Sequence, residues 1–295
     1  MNNLQKWMQH LNFEKEQTHK SLTIIPITSS ESYNLDFITL RSALDRKFAT
    51  VKELHEDGSV PEVIVINKSD KHLILLDGEH VIGAKQNRII NKTIIVDPLS
   101  EVVIPVSCTE QGRWQYKSAG FRKSNFNASS SIRRASKMGV KSQGGVWSRI
   151  ASISKINKFA SRTFSLNELY DEVAPKFDNY KRIIQAIPSQ IGIMAFINGK
   201  LAGIDLIGDN KLFAEQYDSL IHGYMLDAIS NSLEESPKSD IEGLRNHLLE
   251  EIRKSKLTSG ENIGAEKREL IKAEDFMGEL VSFKDMPVHL AVFHR

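Results

Sequence analysis

The chain has 295 residues, 40% of them apolar, and a formal net charge of +2 at pH 7. That is ample for a sizeable core, and it excludes a disordered polyelectrolyte. The single cysteine, Cys108, excludes an internal disulfide framework and suits a reducing compartment.

The N-terminal ten residues contain no apolar run, and no stretch reaches the roughly 18 apolar residues needed to cross a bilayer. The expectation is a soluble cytoplasmic protein without a membrane partner. After a short amphipathic start, residues 22–27, 62–66, 72–76, 93–96 and 102–106 are rich in β-branched side chains and bounded by turn residues, which predicts strands. Residues 40–48 read as a short helix. Asp77-Gly78 joins two apolar runs by a two-residue link, a hairpin signal, and Asn91-Lys92 reads similarly. This half is expected to be mostly antiparallel sheet.

Residues 117–142 interleave serines (Ser118, Ser124, Ser129, Ser130, Ser131, Ser136, Ser142) with basic residues and with Gly120, Asn125, Asn127 and Gly139. This composition predicts a weakly packed, basic loop or lid. Val146, Trp147, Ile150, Ile153, Ile156 and Phe159 then recur at helical spacing, with Arg149, Lys155 and Lys158 on the outer side. Ser165 and Glu168 form a capping box that opens a second helix running toward residue 187, which Pro175 must kink or divide. Asn198-Gly199 between residues 191–197 and 200–207 is the clearest hairpin, because Asn-Gly supplies the positive φ values of a type I′ turn. Residues 211–230 return to helical periodicity, and Ser239 with Glu242 opens another helix by capping logic. Residues 276–283 and 288–293 read as strands. No repeat or heptad pattern is present.

Charge is polarised along the chain. From Gln111 to Asn167 there is no Asp or Glu but twelve Lys or Arg, whereas the remainder holds 27 basic against 37 acidic residues. Random scatter would place about seven acids in that window, so the segment suggests a partner with negative charge. Trp114, Tyr116, Phe121 and Phe126 lie within it and could stack bases.

Two polar clusters precede or open that segment. The first runs from Asp77-Gly78-Glu79-His80 to Lys85-Gln86-Asn87-Arg88, a mixture suited to a polar ligand on a rigid sheet. Asp77 is equally well read as a turn residue, and Glu79 and His80 project to opposite faces of a regular strand, so at most one of the two faces a site. The second is Cys108-Thr109-Glu110-Gln111-Gly112-Arg113-Trp114. Gly112 allows close backbone approach, Arg113 can pair two phosphate oxygens, Trp114 can cover a planar ring, and Glu110 can act as a base or hold a ribose hydroxyl. With no histidine near it in sequence, Cys108 reads as a buried structural thiol. Metal-binding and dinucleotide fingerprints are absent, and no metal or cofactor is assigned. Gln143-Gly144-Gly145 at a helix start is a weak phosphate signal. Asp205, His222, Glu266, Arg268, His289 and His294 read as ordinary surface or sheet residues, with a remote role in a site as the lesser alternative.

In the runs Leu76–Arg88 and Ile104–Trp114, and more loosely over most of the chain, the sequence resembles a mainly prokaryotic family, the ADP-ribosylglycohydrolase- and rhodanese-phosphatase-associated protein domain. The resemblance implies a single compact domain over residues 1–295 and a role in ADP-ribose metabolism. It carries over Asp77, Gly78, Glu79, Gly83, Lys85, Gln86, Asn87 and Arg88, then Cys108, Glu110, Gly112, Arg113 and Trp114.

The expected protein is therefore α+β, a largely antiparallel sheet with packed amphipathic helices, that binds an ADP-ribose-like phosphorylated nucleotide, with hydrolysis of that ligand as the candidate reaction. Glu79 and Glu110 are the acid/base candidates. The ligand-binding set is Asp77, Lys85, Gln86, Asn87, Arg88, Gly112, Arg113 and Trp114, with Lys85, Arg88 and Arg113 on phosphates. Two alternatives stand beside it: a non-enzymatic nucleic-acid binder using residues 111–167, and a structural or partner-docking module.

Overall fold

Asn198 and Gly199 have φ values of 51° and 71°, the left-handed pair a type I′ turn requires. They join strands Gln190–Ile197 and Lys200–Ile207 into the expected hairpin. That hairpin lies within a nine-stranded sheet in the computed structural model, which describes residues 2–137, 142–231 and 240–294. Gly139, Lys141 and Ser239, singled out in the sequence, lie outside the described residues.

On one side of the hairpin the sheet continues through Leu22–Ser29, which pairs with both Leu11–Phe13 and Gln17–His19; on the other it continues through Met286–His294, Phe276–Phe283 and Lys267–Lys272 to Leu257–Ser259. Side chains alternate across it with the period of two that a pleated strand dictates. Met194, Phe196, Ile204 and Leu206 face helices Asn3–Met8 and Ile241–Lys254. Ile193, Ala195 and Ile207 face helices Ser142–Ile156, Leu166–Lys181 and Asn210–Ser230. Helix Asn210–Ser230 is buried along most of its length, which fits a helix apolar on nearly every side. Its N-cap is Asp209, which accepts from the backbone of Lys211 and Leu212. Helix Leu166–Lys181 begins at the predicted cap, Ser165, and runs undivided through Pro175. The cap of Ile241–Lys254 is Asp240, whose carboxylate accepts from the Gly243 N–H.

The remaining strands form two smaller sheets. One, of six strands, runs Phe121–Asn127, Glu79–Gly83, Arg88–Ile90, Glu101–Cys108, Glu62–Asn67, Ala49–Glu53 around a separate core containing Val51, Val63, Val81, Ile104 and Val106. The other pairs His72–Leu75 with Ile94–Val96 and, in parallel, with Phe37–Thr39. All other strand pairs are antiparallel, so the fold is α+β as expected. Among the described residues no helix is long and apolar enough to cross a membrane.

Two expectations need correction. Asp77-Gly78 and Asn91-Lys92 close no hairpin: in each case the chain leaves one sheet and enters another. The turn at Gly78 (φ 83°) is closed locally, Glu79 N–H donating to the Leu76 carbonyl, and is also bonded to distant segments. Gly78 N–H donates to the Ile90 carbonyl, Ala128 N–H donates to the Gly78 carbonyl, and Asp77 N–H donates to Thr93 Oγ1. Within residues 117–142 the described part is not a loop beyond residue 120, since it forms strand Phe121–Asn127 and helix Ser130–Lys137. Its Ser124, Ser129, Ser130 and Ser136 are buried rather than solvated.

Candidate functional site

The acids missing from residues 111–167 come from elsewhere in the chain. Arg113 meets Glu110 at 2.7 Å, Lys123 meets Glu79 at 3.7 Å, and Lys137 meets both Asp77 (3.2 Å) and Glu279 (3.0 Å). Arg133 makes a two-pronged contact with Asp205 at 2.7 and 2.8 Å and also reaches Asp77 at 3.1 Å. Arg149 lies 3.6 Å from Asp227. Only Lys117, Arg122, Lys155, Lys158 and Arg162 of the segment's described cations are exposed. Much of the apparent basic surface is internal pairing.

This accounts for Asp77. It is fully buried beneath Arg133 and Lys137, in a chain of charges that continues through Glu279 to Arg268 and Glu266. Asp205 also accepts from Tyr224 Oη at 2.6 Å and has His289 Nε2 at 3.4 Å. Burial would raise the Asp205 carboxyl, but the Arg133 guanidinium outweighs it and holds that group well below the usual carboxylate range. Asp205, Glu266, Arg268 and His289, read from sequence as ordinary positions, are thus buried parts of a cross-sheet network.

Glu79 is likewise fully buried. Its Oε2 accepts from the Leu76 N–H at 2.9 Å, and Lys123, its cationic partner, donates to Asn127 Oδ1 at 2.8 Å. Burial raises the Glu79 carboxyl against the pull of Lys123, and burial pushes Lys123 down to about 8 against the pull of Glu79. His80 is also buried, with Nε2 2.9 Å from Thr109 Oγ1, and burial brings it down to about 3.

The remaining candidates gather where strand Arg88–Ile90 meets the end of Glu101–Cys108. Arg88 is completely buried, 3.7 Å from Glu53, with Nη1 donating to Gln86 Oε1 at 3.2 Å. Its Nε and Nη2 have no hydrogen-bond partner among the described residues. Lys85 Nζ and the Arg88 guanidinium lie 5.6 and 5.7 Å from the centre of the half-exposed Trp114 ring, cation–π distances. Arg113 donates to the carbonyls of Ala84 (2.7 Å), Gln115 (2.8 Å) and Gly83 (3.2 Å) and to Asn87 Oδ1 (3.2 Å). Its fork clamps the Gly83–Asn87 turn. Gly112 packs on backbone: a Cβ there would lie 2.9 Å from the Arg162 carbonyl oxygen. The Cys108 thiol is buried, and burial raises it to about 11, as befits a structural thiol.

Asn87 and Glu110 open onto a cavity of about 520 Å³, within the range of small-molecule sites. Lys117 and Arg122 also line it, and neither has a carboxylate within salt-bridge distance among the described residues. Ser118, Asn167 and Glu168 complete its polar wall. Glu110 Oε2 faces Arg113 off the hydrogen-bond axis and has no aligned donor. Glu79 does not line this cavity; the second carboxylate on its wall is Glu168, which the sequence marked only as half of a capping box. Among the described residues no group of three or more His, Cys, Asp or Glu could hold a metal ion.

The chain belongs to the ARG and Rhodanese-Phosphatase-superfamily-associated Protein domain family, whose model matches residues 10–293. The name associates the family with ADP-ribosylglycohydrolases and phosphatases. No curated protein and no solved structure matches the chain.

Proposed function

We propose, from membership of this family and from the cavity at Asn87 and Glu110, that the protein binds a phosphorylated nucleotide of the ADP-ribose class there. The observation that carries this reading is the pairing of two cations free of salt bridges, Lys117 and Arg122, with neutral and acidic hydrogen-bonding groups on one cavity wall. Cations without internal partners suit phosphate oxygens. Asn87, Asn167 and Ser118 suit the hydroxyls and edges of a sugar and base. Arg113 acts as a positioning residue, since its donors hold the turn that presents Asn87 and its charge lies beside Glu110.

Hydrolysis, if the protein catalyses it, falls to Glu110 and Glu168. Glu110 would take a proton from water as its oxygen attacks the sugar carbon, while Glu168 would protonate the departing group. Glu79, enclosed with Lys123, is left to a structural role. A thermal-shift titration with ADP-ribose, NAD, AMP and a short RNA tests the binding reading. Stabilisation that grows with ADP-ribose concentration and is lost in Glu110→Gln supports it; a midpoint unmoved by every nucleotide contradicts it.

A further inference from the structure

A second cavity, of about 400 Å³, shares no lining residue with the first. The helices Ser130–Lys137 and Ser142–Ile156, the Asn198-Gly199 turn, the end of helix Asn210–Ser230 and the end of strand Met286–His294 converge on it. Its walls present Arg134, Arg149 and Lys200 against one carboxylate, Asp227. The charge of Asp227 is met within the fold. It accepts from Ser130 Oγ at 2.7 Å, Ser131 N–H at 2.9 Å and Ser131 Oγ at 2.5 Å. The cations are less occupied. Arg149 Nε donates to Ser131 Oγ at 2.7 Å and its Nη2 lies 3.6 Å from Asp227, whereas Arg134 donates Nη1 to the His294 carbonyl at 3.0 Å, which leaves its guanidinium with further N–H groups. Lys200 is exposed and has no carboxylate within salt-bridge distance among the described residues. Asn198, on the same wall, has its Oδ1 buried without a hydrogen-bond partner among the described residues.

We propose that this cavity is a second anion site, selective for a phosphate that carries or adjoins a hydroxyl: hydrogen phosphate itself, or a phosphate ester of a hydroxylated sugar. The guanidinium groups and Lys200 supply the charge-assisted donors that tetrahedral oxyanions take. The acceptor beside them sets the selectivity. Asn198 Oδ1 repels a bare oxygen and accepts from an O–H, which hydrogen phosphate has and sulfate lacks at neutral pH.

Calorimetric titration at constant ionic strength tests this with inorganic phosphate, ribose 5-phosphate and sulfate, on the natural protein and on the pairs Arg134→Gln/Lys200→Gln and Lys155→Gln/Lys158→Gln, the latter exposed and lining neither cavity. The expected result is phosphate binding that weakens about tenfold or more in the first pair and is unchanged in the second, with sulfate weaker than phosphate by a similar factor. Tighter binding of ribose 5-phosphate than of phosphate identifies a sugar ester as the ligand, and the reverse identifies the free ion. The proposal is overturned if the natural protein gives no heat with either phosphate, if the first pair binds them undiminished, if the second pair loses them, or if sulfate binds as well.

Discussion

At the scale of single residues, Gly78 shows how narrowly a position can be set. Its φ is 83°, and a Cβ built there would lie 2.5 Å from Arg133 Cδ. Gly78→Ala is expected to strain the backbone and displace Arg133, costing about 2 kcal/mol or more, read as a lowered midpoint in urea denaturation. Arg113→Lys should cost about 1–3 kcal/mol by the same measurement, because an ammonium cannot reproduce a planar fork onto three carbonyls and an amide. The residue types of the polar clusters were readable from sequence, and so was the inert character of Cys108. What each side chain faces was not. Arg113 carries the chemistry of a phosphate clamp, yet its donors go to carbonyls only a few residues away in the fold. Glu168 sits in a local pattern that fully explains it as a helix cap, so nothing in the sequence pointed to the cavity it also lines.

At the scale of elements, the network around Arg133 links the helix Ser130–Lys137 to the turn at Asp77 and to strand Lys200–Ile207. Removing one partner of a buried pair leaves a charge that water cannot reach. Arg133→Met should therefore destabilise by about 3–5 kcal/mol in chemical denaturation, because it takes the guanidinium from Asp205 and leaves Asp77 with Lys137 alone, whereas Arg134→Gln should stay within about 0.5 kcal/mol. Strand and helix positions were largely legible, since period-two and helical spacing are local signals. Helix Leu166–Lys181 starts at its expected cap, Ser165, and helix Asn210–Ser230 covers the residues whose periodicity read as helical. Apart from the Asn198-Gly199 hairpin, strand partners were not legible. Asp77-Gly78 has the composition of a hairpin, but hydrogen bonds to Ile90, Thr93 and Ala128 make it a crossing between sheets. Strand Phe121–Asn127 was hidden by serines and lysines that become acceptable inside only because tertiary partners meet them.

At the scale of the whole molecule, the acid-free segment is a tertiary device more than a basic surface. Glu79, Asp77, Asp205, Asp227 and Glu279 lie far from it in sequence and neutralise its cations in the fold. One consequence is a pH signature. Burial depresses the folded Lys123 to about 8 from the usual 10.5 of a lysine, so the unfolded chain binds its proton more strongly between those values. Its contribution is present above the unfolded value and is lost as pH falls through about 8. Stability should therefore rise from pH 8 toward 10 relative to a Lys123→Met variant, measured by urea midpoints at each pH. The cations that remain without internal partners include Lys117 and Arg122, beside Asn87 and Glu110. The most direct measurement is a calorimetric titration of ADP-ribose into the natural protein and into Lys117→Gln/Arg122→Gln, with melting curves to establish equal folding. Saturable binding that weakens about tenfold or more in the double variant is the predicted result. No binding to the natural protein, or equal affinity in the two, would contradict a nucleotide site at this cavity.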